Sequence, residues 1–136
     1  MYSRALLDHF QNPRNVGELP PPAMTLEVSN PACGDILRLS VLIENGQVRE
    51  ARYKVRGCTA AIAAGSALTE LLIGKTRQQV AALNASQVES AVGGLAPESK
   101  HAAVLSMDGV KSLLQRWGSG PEVYNAPASD RSRSTS

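Results

Sequence analysis

Residues 37–56, LRLSVLIENGQVREARYKVR, decide the fold. In the first half Leu37, Leu39, Val41 and Ile43 alternate with Arg38 and Ser40. In the second half, 48–56, Ala51, Tyr53 and Val55 alternate with Glu50, Arg52, Lys54 and Arg56. A period of two is the signature of a strand with one buried and one wet face. Between the halves stands Asn45-Gly46, a pair whose tolerance of positive φ suits a type I′ hairpin turn. Upstream, MTLEVS at 24–29 alternates in the same way. The pattern predicts a three-stranded antiparallel meander with polar residues on one side.

Working outward, residues 2–11 read as a short amphipathic helix, with Leu6, Leu7 and Phe10 on one side and Arg4, Asp8 and Gln11 opposite. Asn12-Pro13 stops it, because proline disfavours a helical residue before it. Residues 12–23, with four prolines and a glycine, form a loop. After the hairpin the chain changes character. TAAIAAGSALTELLIG, from residue 59, carries Ile62, Leu68, Leu71 and Leu72 at helical spacing and ends on Gly74, a C-cap candidate. Thr76 to Gln79 has capping-box form and opens a second short helix. A further helical turn covers 86–92, Gly93-Gly94 breaks it, and 97–117 reads as a long helix with Val104, Leu105, Val110, Leu113, Leu114 and Trp117 along one side. From Gly118 the chain is rich in Ser, Pro and Gly, which predicts a disordered tail over 118–136 behind a domain at 1–117. The class is α+β: a three-stranded antiparallel sheet with helices packed on one face.

With 136 residues, one domain is expected. Apolar residues make up 43% and aromatics only 4%, so the core is aliphatic. A net charge of +2 with mixed signs gives no basis for nucleic-acid binding. The N-terminal MYSRALLDHF has charges throughout and no signal-peptide h-region. No apolar run reaches the roughly 18 residues a membrane span needs, so a cytoplasmic protein without membrane contact is expected. A structural disulfide is not expected in that compartment. Cys33 and Cys58 are then buried small hydrophobes, metal ligands or reactive thiols.

Three places carry groups able to do chemistry. Cys33-Gly34-Asp35 stands in a loop entering a strand; as i and i+2 in an extended segment, thiol and carboxylate face one side, although Pro31, Gly34 and Asp35 also suit a plain turn. Cys58, after Gly57, stands at a helix N-terminus, where the dipole and free N–H groups favour thiolate. Gly57 lets the backbone turn there and leaves the sulfur uncovered. Its bland alternative is a buried structural cysteine. His101, after Lys100, is near the start of the last helix and alone reads equally as a surface histidine. Together, two thiols, a carboxylate and an imidazole make a tetrahedral donor set for zinc or iron. Only His9 competes as a further Cys or His. No CxxC or HxxxH spacing is present, so such a site is assembled from distant loops. The other arrangement is a Cys58–His101 dyad oriented by Asp35, as in a hydrolase.

Over roughly residues 2–117 these segments resemble the U-type iron–sulfur cluster assembly scaffolds, IscU and the N-terminal domain of NifU. DHFQNPRNVG at 8–17 is similar to that family's opening helix and loop. NPACGD at 30–35 is similar to its first ligand loop, KVRGCTAAIAAGS at 54–66 to its second, and LAPESKHAAVL at 95–105 to its third. The resemblance implies a cytosolic scaffold or carrier without turnover of its own. It would bind iron or a [2Fe–2S] cluster, receive sulfur from a cysteine desulfurase and pass the cluster to apo iron–sulfur client proteins. Cys33, Asp35, Cys58 and His101 carry over as cofactor and metal ligands, with Cys58 and Cys33 as candidate persulfide acceptors.

One family position does not carry over: where a cysteine follows the histidine, this chain has Ala102. The site is left with two thiolates, and imidazole on iron implies a more labile cluster. Zinc is the alternative occupant. The segment 96–100 departs from the family's Pro-Pro-x-Lys form, which argues against chaperone docking there. Two alternatives to the scaffold follow. One is a zinc-holding sulfurtransferase; the other is a regulatory paralogue that binds the desulfurase without building clusters.

Overall fold

The computed structural model describes residues 2–31 and 34–117. Cys33 and the segment 118–136, for which a tail was expected, lie outside the described residues. Helix α1 (Arg4–Gln11) precedes strands β1 (Met24–Asn30), β2 (Asp35–Glu44) and β3 (Gln47–Arg56). Helices α2 (Thr59–Leu72), α3 (Arg77–Ala81), α4 (Ala85–Ala91) and α5 (His101–Trp117) follow, with a 3₁₀ turn at Pro97–Ser99 before the last.

The sheet is the expected antiparallel meander, in the order β1-β2-β3. Its register lines up core rows across all three strands: Met24, Val41 and Ala51; Leu26, Leu39 and Tyr53; Val28, Leu37 and Val55. The intervening rows, such as Glu27, Arg38 and Lys54, face the other way. There Arg38 pairs with Glu27 and Glu18, and Lys54 with Glu18. Asn45 and Gly46 both take positive φ, 55° and 75°, as the hairpin turn requires. A bulge between Leu42 and Ile43 leaves Arg49 without a partner in the ladder. Val48 and Ala51, three residues apart, therefore both reach the core. Sequence alternation alone does not register that shift. Asn15 and Gly17 bond to both backbone groups of Tyr53, so the 12–23 loop covers the outer edge of β3.

Helices α2 and α5 pack on the core face of the sheet. Helix α2 is buried on nearly every side, through Ala60, Ala61, Ala63, Ala64, Ala67, Leu68 and Leu72. Its small residues permit close approach: a Cβ at Gly65 would fall 2.6 Å from the Tyr53 ring. Gly74, φ 91°, follows the C-cap Ile73. Both short helices open with complete capping boxes, Thr76–Gln79 and Asn84–Gln87.

Two expectations need correction. Helix α1 buries Leu6 and His9, while Leu7 and Phe10 are exposed. The helix rotates to present His9 because Ser66 of α2 offers its Nδ1 a partner at 2.8 Å. The stretch 97–117 is not one helix; its first turn is 3₁₀, and α5 begins only at His101. Val104 is exposed on α5, whereas Leu105, Val110, Leu113 and Trp117 are buried. No helix of the described residues is long and apolar enough to cross a membrane.

Candidate metal centre

Three chain segments meet at one end of the sheet. Asp35 opens β2, paired with Asn30 across the β1–β2 loop; that loop closes through Gly34 (φ 76°), whose N–H donates to the Asn30 carbonyl at 2.7 Å. Cys58 is the N-cap of α2, two residues after β3 ends. His101 is the first residue of α5. Strand pairing places Asp35 beside the end of β3, because Ile36 stands opposite Arg56.

Their donor atoms form an equilateral triangle. Cys58 Sγ lies 3.4 Å from Asp35 Oδ2 and 3.4 Å from His101 Nε2, and His101 Nε2 lies 3.4 Å from Asp35 Oδ2. One tetrahedral ion with about 2.0–2.1 Å bonds to N and O and about 2.3 Å to S has ligand–ligand edges of about 3.3–3.6 Å. The triangle therefore fits one face of such a tetrahedron without rearrangement. Among the described residues this is the one Cys/His/Asp/Glu group with metal-binding geometry. The Asp35 side chain is only 7% exposed and that of His101 29%, so the site opens on the imidazole side.

The electrostatics of Cys58 differ from the expectation for a helix N-terminus. Burial pushes the thiol up. The Ala61 and Ala60 N–H groups pull the other way, and the Asp35 carboxylate adds to the upward shift. Desolvation and a neighbouring anion outweigh the helix end, so the metal-free site holds a thiol that donates to Asp35. A bound cation reverses that balance, since it stabilises thiolate and carboxylate together.

Of the residues singled out in the sequence, the fold brings Asp35, Cys58 and His101 together; Cys33 lies outside the described residues. His9 belongs elsewhere, bonded to Ser66 and 3.7 Å from Glu70 between α1 and α2. Lys100 turns to Glu89 of α4 at 2.7 Å. Ala102, which follows His101 in the chain, is 1% exposed and belongs to the core. The backbone bends at Gly57, as expected, with a φ outside the left-handed region. What depends on it is space, because Asp35 packs directly over it. The Gly-Cys pair was the available signal, but its steric partner, 22 positions earlier, was not visible.

Known proteins are similar to this chain in sequence and in fold. The NifU-like N terminal domain family matches residues 1–120. The chain is 36% identical over 118 residues to the iron–sulfur cluster assembly scaffold protein IscU of Azotobacter vinelandii, covering 84% of this chain and 91% of that one. It is 35% identical over 114 residues to scaffold protein IscU 1 of Archaeoglobus fulgidus, covering 84% and 74%. Among solved structures, a nitrogen-fixing NifU-like protein (N-terminal) from Brucella abortus shares the fold with a TM-score of 0.57 at 22% identity, covering 84% of this chain and 80% of that one. By family match and by these relatives, the chain belongs to the NifU-like N-terminal domain family.

Proposed function

We propose that this protein is an iron–sulfur cluster assembly scaffold that holds iron and sulfide as cargo. The observation that carries the reading is the 3.4 Å triangle of Asp35, Cys58 and His101, a mixed S, O and N donor set that suits iron. The relatives named as scaffolds support it, and they favour it over a zinc-holding sulfurtransferase. Cys33, two residues before Asp35, is the fourth donor in this proposal, and residues 1–117 carry the function. Because Ala102 offers no thiol, Cys58 and Cys33 are the candidate persulfide acceptors. Acceptance is a thiol exchange: Cys58, once it has lost its proton, attacks the outer sulfur of a desulfurase persulfide, a new S–S bond forms, the persulfide S–S bond breaks, and the desulfurase thiolate leaves. The cysteine desulfurase is then the sulfur source and apo iron–sulfur proteins are the recipients.

The test is anaerobic reconstitution of the full chain with ferrous iron, cysteine, a cysteine desulfurase and dithiothreitol to reduce the persulfide sulfur to sulfide, followed by absorption spectroscopy and iron and sulfide analysis. A coloured, sulfide-containing species lost on Cys58→Ser is expected. A colourless product without sulfide would overturn the reading.

A further inference from the structure

Resting on the reading of Asp35 as a metal ligand, we propose that Gly57 is the residue that positions it: the carboxylate occupies the space a side chain at 57 would fill. A Cβ built on Gly57 falls 2.6 Å from Asp35 Cγ, 2.7 Å from Oδ1 and 3.1 Å from Cβ. Carbon atoms in good contact sit about 3.5–4.0 Å apart, so a methyl group and this carboxylate exclude each other. The excluded oxygen is Oδ1; its partner Oδ2 is the vertex that faces Cys58 Sγ and His101 Nε2 at 3.4 Å. Gly57 thus bounds one side of the carboxylate while the other side completes the triangle.

The requirement is spatial. Gly57 lacks the positive φ that marks Gly34, and the would-be Cβ of Gly34 meets nothing within 4 Å. Gly34 serves the backbone of the first loop; Gly57 serves the side chain of the residue that leaves it. Backbone retreat is restricted, because Asp35 and Ile36 are held in register by Asn30 on one side and Arg56 on the other. A methyl at 57 therefore rotates the carboxylate away from the triangle and leaves Cys58 and His101 without their oxygen donor. In this way Gly57 sets whether a divalent cation meets a mixed S, N and O set or a softer S and N set.

Cobalt(II) alone, titrated anaerobically into the reduced full-length chain, reads this directly through its thiolate charge-transfer and ligand-field bands. Gly57→Ala and Asp35→Ala are each expected to weaken cobalt binding about 10- to 100-fold and to give the same altered ligand-field spectrum. The double variant is expected to lose no more, because the second change removes a group already displaced. Wild-type binding by Gly57→Ala beside weakened Asp35→Ala would overturn the positioning role and leave the ligand role standing. Wild-type binding by Asp35→Ala, or no thiolate charge-transfer band in the unaltered chain, would overturn both. Should Gly57→Ala fail to fold, the double variant decides. A melting temperature matching Asp35→Ala supports the clash; failure of the double variant to fold overturns the proposal.

Discussion

Cys58 Sγ and His101 Nε2 lie 3.4 Å apart although 43 positions separate them in the chain. Neither residue approaches the other through local structure. Cys58 is fixed by the end of β3 and the start of α2, His101 by the start of α5, and both helices are fixed by the core face of the sheet. The candidate metal centre is thus a property of sheet-on-helix packing.

Replacing His101 by Ala removes one vertex of the triangle and leaves the packing of α5 intact, since the ring is partly exposed. Cobalt or zinc affinity is expected to fall by roughly tenfold or more, with unchanged far-UV circular dichroism. Equal affinity in a competition titration with a chromophoric chelator would remove His101 from the ligand set.

Cys58 is shifted up by burial and by Asp35. Its thiol should be alkylated by iodoacetamide more slowly than a free thiol at pH 8, with a reaction midpoint above the usual value of about 8.5. Asp35→Asn removes the neighbouring charge and should lower that midpoint. In linkage terms the folded chain holds this proton longer than the unfolded one. The resulting stability is present below the unfolded-state pKa and is lost as pH rises through the folded one. An alkylation profile identical to that of a free thiol contradicts this.

His9 is shifted the other way: burial and the Arg14 charge hold it below the usual histidine range, against smaller upward effects of Glu70 and Asp8. The unfolded chain therefore takes up this proton first as pH falls. Stability should drop on acidification below about 6.5. His9→Gln should flatten the dependence of melting temperature on pH between 7.5 and 5.5, while costing about 1 kcal/mol at neutral pH through the lost Ser66 bond. Parallel pH profiles for the two proteins would show that His9 is not the source.

Gly65 faces the Tyr53 ring so closely that a Cβ would fall 2.6 Å from two of its carbons. Tyr53 is itself held, by its hydroxyl donating to the Ile62 carbonyl at 2.8 Å. Gly65→Ala gains helix propensity of about 1 kcal/mol, but overpacking against a fixed ring costs about 1–3 kcal/mol. Net destabilisation is expected in urea unfolding, and a stabilised variant would contradict the packing.

Ala102 sits in the first turn of α5, next to His101, and is almost fully buried. A cysteine is small and apolar enough for such a place. On the proposed scaffold role, Ala102→Cys should raise the sulfide retained per chain after anaerobic reconstitution, because a thiol is added directly after His101. An unchanged yield would contradict this role for position 102.

The amino-acid sequence by itself determined the meander, the hairpin turn and the starts of α2 and α3. Alternation, Asn-Gly and capping boxes act over a few residues, and their partners lie within the same segment. It also marked Asp35, Cys58 and His101 by residue type. Other features were decided by contacts between distant segments. The inward turn of His9 depends on Ser66, the rotation of α1 on the face of α2, and the raised thiol of Cys58 on burial and on the neighbouring Asp35. The room that Gly57 leaves for that carboxylate is of the same kind. Local pattern fixes where a residue sits along its own element. Only packing fixes what stands opposite it, and at a site built from three separate chain segments that is what sets both the distances and the protonation.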